Sequence, residues 1–202
     1  IMALLVVVGL GIPAGVISSI RPNSWTDNTL LLVALAGASI PSFWLGLMLM
    51  VIVAGKLHLL PSSGFTSVLA TGNIANLKNL ILPAISLGFV NAALVARTAR
   101  SSMLDVLGAD YITTARAKGL SEWAVIAKHA LRNAAIPTVT VISFTFASLV
   151  SGAVVTENVF ALPGVGSMIV QSVLKRDYPV IQGIMMVVAV LYVVVNFFTD
   201  LT

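Results

Sequence analysis

The chain has 202 residues, 58% hydrophobic and only 9% charged, where an ordinary soluble domain carries roughly 25% charged residues. A water-soluble globular fold is excluded, because a domain of this size needs a polar exterior. The formal charge of +4 comes from eleven Lys and Arg against seven Asp and Glu, but these lie between long apolar runs, which does not suit nucleic-acid binding.

Uncharged stretches mark the elements in chain order. Twenty residues precede Arg21, twenty-eight separate Asp27 from Lys56, and eighteen separate Lys78 from Arg97. Twenty-four then separate Arg132 from Glu157, and twenty-two separate Asp177 from Asp200. A helix needs about 20 apolar residues to cross the hydrocarbon core, and only helices or closed barrels satisfy their backbone in lipid. Runs such as Leu30-Leu-Leu-Val-Ala-Leu35 lack the alternation of barrel strands. The reading is an all-α polytopic transmembrane bundle forming one domain over 1–202. Five spans are expected near 1–20, 29–54, 80–97, 135–156 and 180–201. Residues 1–20 do not read as a signal peptide, since no basic segment precedes them and no clear cleavage site follows. With Ile1 inside an apolar run, the expectation is a core cut from a longer protein.

Loop charges set the orientation. Residues 98–134 with the flanking Arg97 hold six Lys and Arg, whereas the 55–79 and 157–179 loops hold two each. The positive-inside rule places 98–134 in the cytoplasm, and alternation puts 21–28 inside and the two poorer loops outside. Trp25, Trp44, Trp123 and Tyr178 fall near the boundaries, where aromatic rings anchor spans. No ionisable residue is expected well inside a span, which argues against a proton relay or voltage sensor. The absence of cysteine removes disulfides, thiolate metal sites and a cysteine nucleophile. His58 and His129 are the two histidines, too few for a multi-histidine cage, so no metal site is expected.

Residues 98–134 carry most of the functional signal. On a helix beginning near Arg100, Met103, Leu107, Tyr111 and Ala115 share a face at four-residue spacing. Gly119 interrupts as a C-terminal cap. Ser121 caps a second helix, with Glu122 at the positive end of its dipole. Leu120, Trp123, Ala127, Ala130 and Ala134 then line one side. A plain basic connector drawn to anionic lipid is the alternative. However, Thr113-Thr-Ala-Arg-Ala-Lys-Gly119 sets small side chains and two cations where a second protein can approach closely.

These residues resemble the transmembrane permease subunits of binding-protein-dependent ABC importers. That family's cytoplasmic loop carries Glu-Ala-Ala, three residues and Gly, with Ile-x-Leu-Pro ten residues later. Here Thr113-Thr114-Ala115, Arg116-Ala117-Lys118 and Gly119 stand at the motif, and His129-Ala-Leu-Arg132 stands at the later pattern. Ala115, Gly119 and Leu131 are kept, while the Glu, the second Ala position, the Ile and the Pro are not. The departures resemble the dipeptide, oligopeptide and nickel branch. So do Asp110-Tyr-Ile-Thr-Thr-Ala-Arg-Ala-Lys-Gly-Leu-Ser-Glu122, Glu157-Asn-Val-Phe-Ala-Leu-Pro-Gly-Val-Gly166 and Arg176-Asp-Tyr-Pro179.

The resemblance implies a multi-pass subunit of a bacterial or archaeal inner membrane, with about six spans in the full chain, one of them before Ile1. Its partners would be a second permease, two cytoplasmic ATPase subunits, an extracytoplasmic binding protein and membrane lipid. The implied substrates are di- or oligopeptides, with chelated nickel or glutathione-like compounds as alternatives. The implied ATPase-coupling residues are Asp110, Tyr111, Thr113, Thr114, Ala115, Arg116, Ala117, Lys118, Gly119, Leu120, Ser121 and Glu122. Ala115 and Ala117 would allow close approach, and Asp110 would replace the missing Glu. No cofactor is expected on this chain. ATP and Mg would sit on the partner ATPase, because no Gly-x-x-x-x-Gly-Lys-Ser/Thr loop occurs here, and the chain itself is expected not to be an enzyme. An ion-gradient-driven transporter or channel is the alternative of another class.

Asn91, Ser148 and Ser151 are candidate pathway residues, although Ser and Asn in spans commonly bond to other helices or to backbone. Glu157, Pro163 and Gly164 are candidates for an outer gate or docking surface, or for a structural cap on their loop. A short outer helix is expected within 166–174. Pro41, Pro83 and Pro137 are expected to kink or start helices.

Overall fold

The computed structural model describes residues 1–65 and 74–201, and among these every regular element is helical. The first crossing is α1 (Met2–Ile20). Ser24 then caps α2 (Trp25–Ser39), its hydroxyl accepting the Asp27 N–H at 3.3 Å. Ile40 is extended, as the residue before a proline prefers, and α2 ends there. Pro41 opens α3 (Ser42–Leu49), which leaves at 100° to α2 and continues as a π-helical stretch, Met50–Lys56. The expected 29–54 span is therefore a bent pair, with Pro41 at the bend.

A 3-10 stretch (Ile74–Leu80) leads into α4 (Ile81–Leu107). The expected 55–79 loop is only partly visible, since 66–73 lie outside the described residues. Next come α5 (Asp110–Ala117), α6 (Glu122–Ala124) with a π-helical stretch Val125–Ala130, and α7 (Leu131–Val159). The short α8 (Val165–Lys175) precedes α9 (Tyr178–Asp200). Pro83 lies in the first turn of α4 and Pro137 within α7.

The bent α2–α3 pair covers the full depth of the bundle. Asp27 on α2 bonds Arg100 in the last third of α4, while Met50 and Val53 pack against the cluster that contains Leu82 at its start. Those two levels are about 27 Å apart along α4 at ~1.5 Å per residue, close to the hydrocarbon thickness. Among the described residues, the helices containing α1, α4, α7 and α9 are each long and apolar enough to cross a membrane, and the bent α2–α3 pair makes a fifth crossing if it is one span.

In lipid, helices associate through van der Waals packing of small residues, and α1 and α4 are joined this way. A Cβ on Gly15 would lie 2.6 Å from the Ala96 carbonyl oxygen and from Ala99 Cβ, and one on Gly88 would lie 2.7 Å from the Ala3 carbonyl oxygen. Three apolar clusters stack along the bundle: Met103, Ile112, Val125 and Ala130 at the basic end; Val7, Leu87, Val95 and Leu149 in the middle; Leu82, Phe160 and Leu162 at the far end.

Ionisable groups do stand on the spanning helices, toward their basic ends rather than well inside them. Asp27 lies in the first turn of α2 and is fully buried, and Arg97 and Arg100 both lie within α4. Asp27 tolerates burial because four donors meet its carboxylate. These are Ser18 Oγ, the Asn23 N–H at 2.8 Å, and Arg100 Nε and Nη2 at 2.7 Å each. A buried carboxylate persists only when paired and fully hydrogen-bonded in this way. The node joins α1, α2 and α4 at the basic end.

Candidate functional site

The helical hairpin expected within 98–134 is present, and its geometry follows from a few residues. Gly108 and Ala109 break the chain between α4 and α5, with Ala109 extended as the N-cap and Asp110 in the first turn. An acidic residue there complements the positive end of the helix dipole. At the other end of α5, Gly119 adopts φ +79°. The Leu120 N–H reaches the Ala115 carbonyl at 3.3 Å, and the Gly119 N–H reaches Arg116 at 2.9 Å. This bond pair is a Schellman cap, which places a left-handed residue, usually glycine, at that position. Ser121 caps α6, its Oγ accepting the Ala124 N–H at 3.4 Å.

Three contacts fix the elbow. Ile112 and Ala115 are buried against Met103, Val125, Ile126, Ala130 and Ala134. Arg116 spans the turn to Glu122, with Nε–Oε1 at 2.8 Å and Nη2–Oε2 at 3.3 Å. Asn133 Nδ2 on α7 donates to the Tyr111 hydroxyl at 2.9 Å. The hairpin is therefore one packed body, rooted in α4 on one side and continuous with α7 on the other.

The expected faces are corrected in two places. Tyr111 does not share a buried face with Met103 and Ala115. It is 44% exposed, and Ile112 takes the core position, because the break at Gly108–Ala109 resets the helical phase. On the second helix Ala130 and Ala134 are buried as expected, but Leu120, Trp123 and Ala127 are exposed and Val125 and Ile126 are buried instead. The π-helical stretch Val125–Ala130 accounts for this, since a wider turn shifts any face extrapolated at α-helical period.

Of the twelve hairpin candidates, Ala115 alone is buried, and it packs against the chain's own core. The other eleven, Asp110, Tyr111, Thr113, Thr114, Arg116, Ala117, Lys118, Gly119, Leu120, Ser121 and Glu122, are exposed. Arg116 and Glu122 are engaged with each other, whereas Lys118 makes no ion pair among the described residues. A Cβ on Gly119 would meet nothing within 4 Å.

The remaining candidates scatter. Asn91 is half-buried and donates to the Leu87 carbonyl of its own helix at 2.8 Å. Ser148 and Ser151 are exposed on α7, in a stripe with Phe144 and Val155. At the far end, Glu157 accepts the Ser167 N–H at 2.9 Å and so caps α8. Gly164 and Gly166 make room for this carboxylate, because a Cβ on either would lie within 3.0 Å of it. Phe160 and Leu162 from the same stretch fill the far-end cluster, and Pro163 is exposed. The Glu157–Gly166 motif is thus an elbow between α7 and α8, and the cap reading of Glu157 describes its contacts.

The Ser18–Asp27–Arg100 node was missed by sequence reasoning. Ser24-x-x-Asp27 is a capping-box pattern. It would have moved Asp27 from the loop into the first helical turn.

Over residues 11–202 the sequence matches the family described as binding-protein-dependent transport system inner membrane component. It is 40% identical to the dipeptide transport system permease protein DppB of Alkalihalophilus pseudofirmus, over 100% of this chain and 66% of the relative. The identity to the Escherichia coli K12 protein of the same description is also 40%, with the same coverage. A probable D,D-dipeptide transport system permease protein of Escherichia coli is 41% identical, over 98% of this chain and 64% of that one. The chain thus spans slightly under two thirds of these relatives. Its fold is similar to that of a solved structure of the MetNI methionine ABC transporter in an inward-facing conformation. The TM-score is 0.78 at 18% identity, covering 99% of this chain and 87% of the other.

Proposed function

The chain belongs to the binding-protein-dependent transport system inner membrane component family, and on that premise we propose that it is a permease subunit of an ATP-driven importer. Its substrates are di- or oligopeptides, handed over by an extracytoplasmic binding protein. Two ATPase subunits and a second permease complete the assembly. The relatives described as dipeptide permeases support the peptide reading.

The observation that carries the mechanism is the rigid hairpin with its open strip. Thr113, Thr114, Ala117, Lys118, Gly119 and Leu120 face outward on a body that is continuous with α7 and seated against α4. The basic residues around this end support a cytoplasmic position. A force applied to the strip moves the inner ends of two crossings together, because cores packed at native density shift as units. Ala117 and Gly119 permit close approach of a partner surface, and Lys118 supplies a cation. Ala115 acts from inside, holding α5 on its seat. The polar stripe at Ser148 and Ser151 serves as pathway lining once a second permease faces it.

The test is reconstitution of the assembly in liposomes, with uptake of labelled dipeptide and ATP hydrolysis followed together. Binding-protein-stimulated hydrolysis with dipeptide uptake is expected, and Ala117→Glu should abolish both while leaving the chain folded. Uptake of a nickel chelate without competition by dipeptide would overturn the peptide assignment. Unchanged coupling in Ala117→Glu would overturn the role of the strip.

A further inference from the structure

An apolar crevice runs between α1, α2 and α4 in the basic half of the bundle. Leu10, Ala14, Val33, Ala34, Phe89 and Ala93 line an open section of about 60 Å3. A smaller pocket sharing Ala14 and Ala34 continues it toward the basic end, where Arg97 and Arg100 stand in its wall. The crevice exists because α2 is fastened to the α1–α4 pair at two levels. These are the Asp27–Arg100 node and the contact of Gly37 with the Phe89 ring. Alanines fill the wall between them.

The two arginines are not equivalent. Arg100 is neutralised by Asp27. Arg97 sits one turn deeper along α4, is exposed, and has no ion-pair partner among the described residues. An unpaired cation on a spanning helix is costly unless it reaches an anion or the interface. The crevice thus combines a narrow apolar slot, open to the surface at Leu10 and Val33, with a single uncompensated guanidinium at its basic mouth. Guanidinium groups grip phosphate oxygens bidentately, and basic pockets between spans take anionic headgroups. We propose that this crevice holds one acyl chain of an anionic phospholipid, with the lipid phosphate bound by Arg97. The site is independent of the transport reading.

The test uses the assembled complex in nanodiscs and in mild detergent. Phosphatidylglycerol carrying a photoreactive acyl chain should label peptides containing Leu10–Ala14, Leu30–Ala34 and Phe89–Ala96 in the wild type. Native mass spectrometry should show phosphatidylglycerol retained about fivefold over phosphatidylcholine, the preference expected of one arginine at the interface. Arg97→Gln should remove that preference, and Ala34→Phe should reduce retention of both lipids. Labelling spread over exposed α9 with none in the crevice would overturn the proposal. So would equal retention of the two lipids by the wild type, or an unchanged preference in Arg97→Gln. The wild-type label decides the matter even if a variant fails to fold.

Discussion

Arg100 and Asp27, 73 residues apart in the chain, meet as a bidentate pair with both N–O distances at 2.7 Å. The carboxylate side chain is 1% exposed and the guanidinium side chain 21%. Ser18 brings a third helix to the same carboxylate, so α1, α2 and α4 are tied at one point toward the basic end of the bundle.

Removing one partner of this pair leaves a charge without compensation in a dry site. Asp27→Asn should therefore destabilise the chain by about 3 kcal/mol, the lower end of the range for a broken buried pair, because Arg100 keeps some solvent access. Glu122→Gln, at the exposed pair with Arg116, should cost under about 1 kcal/mol. Thermal unfolding in detergent ranks the two variants, and equal losses would contradict the assignment of the node.

Gly119 is needed for its backbone conformation. Its φ of +79° is unfavourable for a residue with a Cβ, yet an added Cβ meets nothing within 4 Å. Gly119→Ala should cost about 1 kcal/mol, and Gly119→Asn less, because Asn tolerates the left-handed region. Gly119→Pro should break the Schellman cap by removing the N–H that bonds Arg116. The same unfolding measurement, made on hairpin variants, checks this order.

Glu157 should matter to α8 and little to the rest. Losing a carboxylate at a helix N-terminus costs ~1 kcal/mol. Glu157→Ala should therefore speed hydrogen exchange at residues 166–168 while leaving exchange in α4 unchanged. Gly166→Ala should be far more damaging, because its Cβ would lie 2.4 Å from Val154 Cα. A Glu157→Ala variant with unaltered exchange in α8 would contradict the cap.

Ala115 and Ala117 should separate two effects that adjacency in sequence conceals. Ala115→Glu forces a carboxylate into the cluster of Met103, Ile112 and Val125 and should lower both stability and uptake. Ala117→Glu lies on the open strip and should lower uptake at unchanged stability. Thermal unfolding paired with dipeptide uptake distinguishes them.

Much of this was legible because bilayer thickness imposes a length on each uncharged run. The stretches ending at Arg21, Arg97, Glu157 and Asp200 correspond to four helices long enough to cross, and the one ending at Lys56 to the bent α2–α3 pair. Local punctuation was equally clear, since Gly119 and Ser121 have chemistry tied to one backbone position each. Phase was not legible. The break at Gly108–Ala109 and the π turn at Val125–Ala130 rotate the faces that helical period projects, moving Tyr111 and Trp123 outward and Ile112 and Ile126 inward. Long-range polar pairing escaped for another reason. Nothing local to Asp27 announces Arg100, and a carboxylate beside a loop reads as solvated until tertiary structure buries it.

The chain's lack of cysteine makes site-directed crosslinking of the hairpin the most direct measurement of the central claim. Single cysteines at Ala117, Lys118 and Ile112 would be placed in the assembly with the proposed ATPase subunits, and crosslinks followed through a hydrolysis cycle. Positions 117 and 118 are predicted to couple to the ATPase and to be shielded from a water-soluble maleimide, with 112 unreactive in both respects. Free maleimide access at 117 and 118, with no crosslink at any stage of turnover, would contradict the account.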